Sequence, residues 1–271
     1  VTGNRKFGRV VAVQVQPQSG APLRVEGLRI SATVRRALGE AVDDAEVVIY
    51  NPEDTVLAIL REGAVVRLLA GYGTPSEIIS GGVSPLSVKF RRSAPNPTVT
   101  FGVQDGGVAL REAPLSLSWS ESVKASAVIN RILLSSTLGR GVISLDNDVE
   151  YTRGHVVYGS ARDALMSIAR DCGCEFTVQN NNINLWPKGG ERLRSAVVIS
   201  EATGMLDNAV AGENGSWVVS VLLEPSIRPG DVVRVKDPGI FDGVLRVQEV
   251  THRVDSGWDN SFTTEITGFP A

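Results

Sequence analysis

The feature that most constrains how this chain folds is a near-repetition. Residues 60–68 read LREGAVVRL and residues 227–235 read IRPGDVVRV. Gly63 and Gly230 each lead an apolar run in which Arg67 or Arg234 sits between aliphatic residues. The downstream text agrees as well. LREGAVVRLLAGYG is followed by EIISGGVSPLSVKF, and IRPGDVVRVKDPG by IFDGVLRVQEVTHRV. Each copy is a Gly-started strand, a turn, an apolar pair, a Gly and a longer strand, ordered as a two-copy repeat would be. A fold built around one pocket has no need for this, whereas one presenting a similar surface twice does. Chance recurrence of Gly-led Val-Val strands is the other explanation, and the residues alone leave both open. The candidate equivalent strands are Val65, Val66, Arg67 and Leu68 in the first copy and Val232, Val233, Arg234 and Val235 in the second.

The repeat sits in two strand-rich ends. FGRVVAVQV, LRISATVRR, AEVVIYN, AVVRLLAGY, EIISGGV, LSVKF and TVTFGV fill residues 1–102, each bounded by Gly, Pro, Ser or Asn. Short strands at this spacing predict a small barrel or sandwich. One helix interrupts them, PEDTVLAILREG, with Pro52 at a first helical position, acids in the first turn and Gly63 as its stop. From 191 onward the chain is again strand-like: AVVIS, WVVSVLL, DVVRV, VLRVQEVTHRV and SFTTEITG.

Residues 103–190 differ. Ala125, Val128, Ile129, Ile132 and Leu133 fall on one face of a helix near 124–136. A second helix, near 161–172, opens on Ser160 and Asp163 as a capping box with Asp in place of Glu, and Gly173 stops it. CEFTV, a QNNN turn and INLW then form a hairpin. The expected fold class is mainly β (α+β): two similar small β-barrel domains, 1–102 and 191–271, flanking an α+β middle domain, 103–190.

Chemistry is sparse. The net charge of −3 offers no basic balance for phosphates, and the basic knots Arg5-Lys6 and Arg91-Arg92 read as solvated turns. No apolar run is long enough to span a bilayer. VTGNRKFGRV has no signal-peptide core, so synthesis in the host cytoplasm is expected, with no membrane insertion. Cys172 and Cys174 lack the further ligands of a zinc site and read as buried small hydrophobes. His155 and His252 lie in strand-like stretches, and no G-x-S-x-G nucleophile turn is present. The GYG at 71–73 reads as a hairpin turn. The adjacent acids Asp43-Asp44 and Glu53-Asp54 are poor partners at one bond, because neighbouring strand residues face opposite ways. No catalytic residue, metal ligand or cofactor is assigned.

In order, five blocks resemble the baseplate hub proteins of tailed bacteriophages, the late control protein D group. They are AEVVIYNPEDTVLAILREGAVVRLLAGYG, DGGVALREAPLSLSWSES, GSARDALMSIARDCGCEFTVQNNNINLWPKGG, VVISEATGMLDNA with VSVLLEPSIRPGDVVRVKD, and VTHRVDSGWDNSFTTEI. Where that family often has an aromatic, this chain has Cys172-Gly-Cys174, and it lacks a β-helical spike. The resemblance implies a structural, non-enzymatic hub in the virion tail (baseplate or tail tip), a homotrimer whose two barrels per chain make a pseudo-sixfold ring. That ring would adapt a hexameric tail tube to a trimeric spike and form part of the DNA channel. Implied partners are the chain itself, tail tube protein, spike or tail-tip proteins and the tape measure protein, with DNA only as passing cargo. The candidate strand residues would then lie at subunit or tube interfaces. The alternatives are a cell-wall hydrolase or carbohydrate-binding tail component, for which 6% aromatics is thin material, and the hub of a tailocin or contractile injection particle.

Overall fold

The computed structural model describes residues 6–38, 43–92, 96–105, 114–136, 139–179, 182–190, 196–257 and 261–271. Arg5, residues 106–113 of the second resemblance block, the centre of the QNNN turn and the boundary at 191 lie outside them. The chain forms two compact units, one of Val1–Ala37, Asp43–Gln104 and Glu191–Ala271, the other of Leu38–Val42 and Asp105–Gly190.

In the first unit the N-terminal strands are β1 (Arg9–Pro17), β2 (Leu23–Val25), β3 (Ile30–Ala37), β4 (Asp44–Tyr50), β5 (Ala64–Tyr72), β6 (Ser76–Val83), β7 (Lys89–Arg91) and β8 (Thr98–Gln104). Helix α1 (Asp54–Glu62) packs on β1 and β5. It begins later than Pro52 suggests, because Glu53 is the N-cap in extended backbone and Asn51 holds a positive φ of 52°. Alternation drives these strands: Ile30, Ala32 and Val34 of β3 are buried while Ser31, Thr33 and Arg35 between them are not. Their core joins Val47, Ile49, Val66, Leu68, Val99 and Phe101.

The second unit holds β9 (Pro114–Trp119), β10 (Val123–Lys124), α2 (Ala125–Leu134), β11 (Gly139–Ile143), β12 (Glu150–Tyr151), β13 (His155–Ser160), α3 (Ala161–Asp171), β14 (Cys174–Gln179) and β15 (Asn182–Pro187). Both helices stand within a residue or two of their predicted spans. Ser160 caps α3, accepting the Asp163 N–H at 3.1 Å, while the Asp163 carboxylate accepts the Ser160 hydroxyl at 2.7 Å. Gly173 follows with φ +65°. The helices bury Val128, Ile129, Leu165 and Ile168 with Ile183 and Leu185 of the β14–β15 hairpin.

The C-terminal strands return to the first unit: β16 (Val197–Ser200), β17 (Val210–Ala211), β18 (Trp217–Leu222), β19 (Val232–Asp237), β20 (Phe241–Asp255) and β21 (Phe262–Pro270). They have a core of their own, centred on Val219, Val233, Val235, Leu245, Val247 and Ile266. The fold is mainly β, but among the described residues the expected closed barrels are replaced by one large open sheet. It is antiparallel except for the β16–β19 pair. The two ends of the chain share it because β20 is long. Its first half pairs with β19, a bulge falls between Val247 and Glu249, and residues 249–255 then pair with 31–37 of β3. Residues Leu223, Val254 and Phe262 accordingly join the N-terminal core.

Candidate functional site

The two copies singled out in the sequence occupy matching places. Gly63 and Gly230 have φ of +86° and +87°, a region natural to glycine. In β5, Val66 and Leu68 are buried and Val65 and Arg67 face outward. In β19, Val233 and Val235 are buried and Arg234 faces outward; Val232 differs from Val65 in being buried too. Each Arg pairs with an acid placed diagonally on the next strand. Arg67 lies 3.7 Å from Glu77, which stands opposite Leu69, and Arg234 lies 2.5 Å from Asp242, which stands opposite Lys236.

The match extends to strand order. One half runs β3-β4-β8-(β7 with β6)-β5-β1, the other β17-β18-β21-β20-β19-β16. Each set follows the same order along the chain, with β20 in the place of β6 plus β7. One neighbour breaks the rule: β1 is antiparallel to β5, whereas β16 is parallel to β19.

Across β18, β21, β20, β3, β4 and β8 the sheet presents one continuous, mostly polar face. One row of paired residues reads Ser220, Glu265, Thr251, Arg35, Asp44, Gln104, and the next Leu222, Thr263, Arg253, Thr33, Glu46, Gly102. Cations and carboxylates alternate, with Arg253–Glu265 at 3.2 Å and Arg35–Asp44 at 4.0 Å. The opposite face is buried.

Under the seam between β3 and β20 that buried face turns polar. Arg36 and Asp43 pair at 3.5 Å with both side chains almost wholly buried. The Asp231 carboxylate accepts the Arg228 N–H at 2.9 Å, and the turn bonds both ways to Val247 at the bulge. Beside them lies His252, fully buried, its Nδ1 2.9 Å from the Thr264 hydroxyl, which also accepts the Glu224 N–H at 2.8 Å. Burial first, then the Arg36 and Arg228 charges, lower the His252 pKa to about 3; the Ile227 backbone pulls weakly the other way. Its Nε2 makes no full hydrogen bond among the described residues. The cluster therefore holds a neutral imidazole between two cations. Sequence reading placed His252 in a strand but missed its partners, because strand register alone brings Arg36 diagonal to it.

A cleft of about 560 Å³ runs beside β16 and the end of β18, lined by Val197, Val198, Ile199, Val221 and Ile227. Lys6 closes one side, donating to the Leu222 carbonyl at 3.1 Å and pairing with Glu224 at 3.5 Å. In the second unit the Cys172 and Cys174 thiols are buried, and burial raises the Cys172 pKa. Among the described residues no group of three or more His, Cys, Asp or Glu could hold a metal ion, and no helix is long and apolar enough to cross a membrane.

No protein-family model matches the chain, and neither does any curated protein. Solved structures do. A 43 kDa tail protein of prophage MuSo2 from Shewanella oneidensis is similar over 97% of each chain, with a TM-score of 0.71 and 9% identity. A tail protein from Neisseria meningitidis MC58 matches 97% of this chain and 96% of its own, with TM-score 0.68 and 11% identity. The fold is that of phage tail proteins. A type VI secretion component of E. coli, itself structurally similar to the T4 tail proteins gp27 and gp5, covers 96% of this chain and 76% of its own. Its TM-score is 0.66 at 12% identity. This tail-protein fold agrees with the hub resemblance in the sequence.

Proposed function

We propose that the chain is a structural, non-enzymatic hub of a phage tail baseplate or tail tip, acting in the virion as a homotrimer. Each chain supplies two β lobes, one from 1–102 and one from 191–271, with 103–190 as the α+β domain between them in sequence. Three chains give six similar lobes, a pseudo-sixfold ring that meets a hexameric tail tube on one side and a trimeric spike on the other. The observation that carries this reading is the shared strand order of the two halves, reinforced by the diagonal Arg67–Glu77 and Arg234–Asp242 pairs. The polar sheet face is assigned to the channel wall, where its alternating charge would neither grip nor repel passing DNA. The strands around Val65–Leu68 and Val232–Val235 are assigned to subunit or tube interfaces. Tail tube, spike or tail-tip and tape measure proteins are the proposed partners. Hub service in a contractile injection particle is a variant of the same reading, favoured by the type VI neighbour. Light scattering with electron microscopy of the purified chain tests it. A particle of three chains with an axial hole is expected; a monomer at all accessible concentrations refutes it.

A further inference from the structure

The seam inside the chain specifies a second seam, between chains. Within one copy, residues 249–255 of β20 pair antiparallel with β3. By the strand order above, the counterpart of that half of β20 is β7, and the counterpart of β3 is β17. Among the described residues β7 pairs only with β8 and β17 only with β18, so each keeps one edge open. The two edges are also complementary in charge. Lys89 and Arg91 on β7 and Arg92 beside it are exposed, as are Asp207 and Glu213 flanking β17. Val210 of β17 is 61% exposed. Both edges carry the marks of managed sheet edges, being short and charged.

We propose that β7 of one copy pairs antiparallel with β17 of a second copy, continuing the polar sheet face from subunit to subunit. The contact joins two different patches, so it is heterologous and makes a ring when its rotation closes. It rests on the hub reading and adds the edges that meet. A two-residue strand contributes few backbone bonds, so the surrounding charges select the partner and register.

The test uses the full chain. In one variant Lys89→Glu and Arg91→Glu reverse the β7 edge; in another Asp207→Lys and Glu213→Lys reverse the β17 flank. Sedimentation velocity is expected to show each variant alone needing about tenfold more protein to assemble, and a chain carrying all four changes regaining assembly. A second measurement does not depend on weakened variants. One preparation carries Arg91→Cys and another Val210→Cys; on mild oxidation the mixture, and neither alone, should form the covalent dimer, since facing antiparallel residues are within disulfide reach. Cys172 and Cys174 are buried and do not compete. If the wild-type ring forms but reversal and mixing have no effect, the seam is wrong and the hub reading stands. If the wild type never assembles, both fall.

Discussion

Lowering the pH from 7 to 5 should remove about 2 kcal/mol of stability through one side chain, His252. The unfolded histidine takes up a proton near its ordinary pKa of 6.5, while the folded one does so only at about 3. A depressed folded value means the unfolded chain gains protons first as the solution acidifies. The contribution is therefore whole above pH 6.5 and is lost as the pH falls toward 3, at roughly 1.4 kcal/mol per pH unit in mid-range. Full burial removes the solvent screening that would dilute the effect at a surface. Urea denaturation at pH 7 and pH 5, on wild type and His252→Gln, isolates it. Carboxylates titrate alike in both proteins, so the difference between the two pH dependences belongs to the imidazole. A wild-type loss no larger than that of His252→Gln would refute the idea that a neutral ring is locked between Arg36 and Arg228.

Three other outcomes follow from the same geometry. Asp43→Ala, which removes the carboxylate paired with the buried Arg36, should cost about 3 kcal/mol in denaturant unfolding, and Arg36→Met with Asp43→Leu less than that single change. Gly63→Ala and Gly230→Ala should each lower stability by about 1 kcal/mol or more in denaturant unfolding, because both glycines hold a positive φ that an L side chain rarely adopts. Ser160→Ala should cost about 1 kcal/mol by removing the cap of α3, measured as a lower melting temperature of the transition that includes this helix.

The parts of the fold that local chemistry dictates were legible in the sequence. Ser160 and Gly173 bracket α3 because a cap and a left-handed stop act within a turn of the chain. The Val-Val-Arg strands were visible because alternation and a leading glycine are local too. The alternation also separated Asp43 from Asp44, and one is buried in an ion pair while the other faces solvent. What escaped was set by register over long sequence separations. In LRISATVRR the alternation places Arg36 rather than Arg35 on the apolar side, but it gives no hint that His252 of β20, more than two hundred residues away, lies diagonal to it. The open sheet was equally hidden: closure into barrels depends on where β20 exchanges β19 for β3, a bulge that no turn residue announces. β17 is too short to leave any periodic signal.

The length of β20 has a mechanical consequence. A pull along that strand is resisted in shear, because its ladders to β21 and β3 must slip together before either yields. A force directed across the sheet would instead unzip one bond after another. Because its two ends are stitched by one long strand, stress entering one lobe is carried to the other through backbone rather than through a hinge.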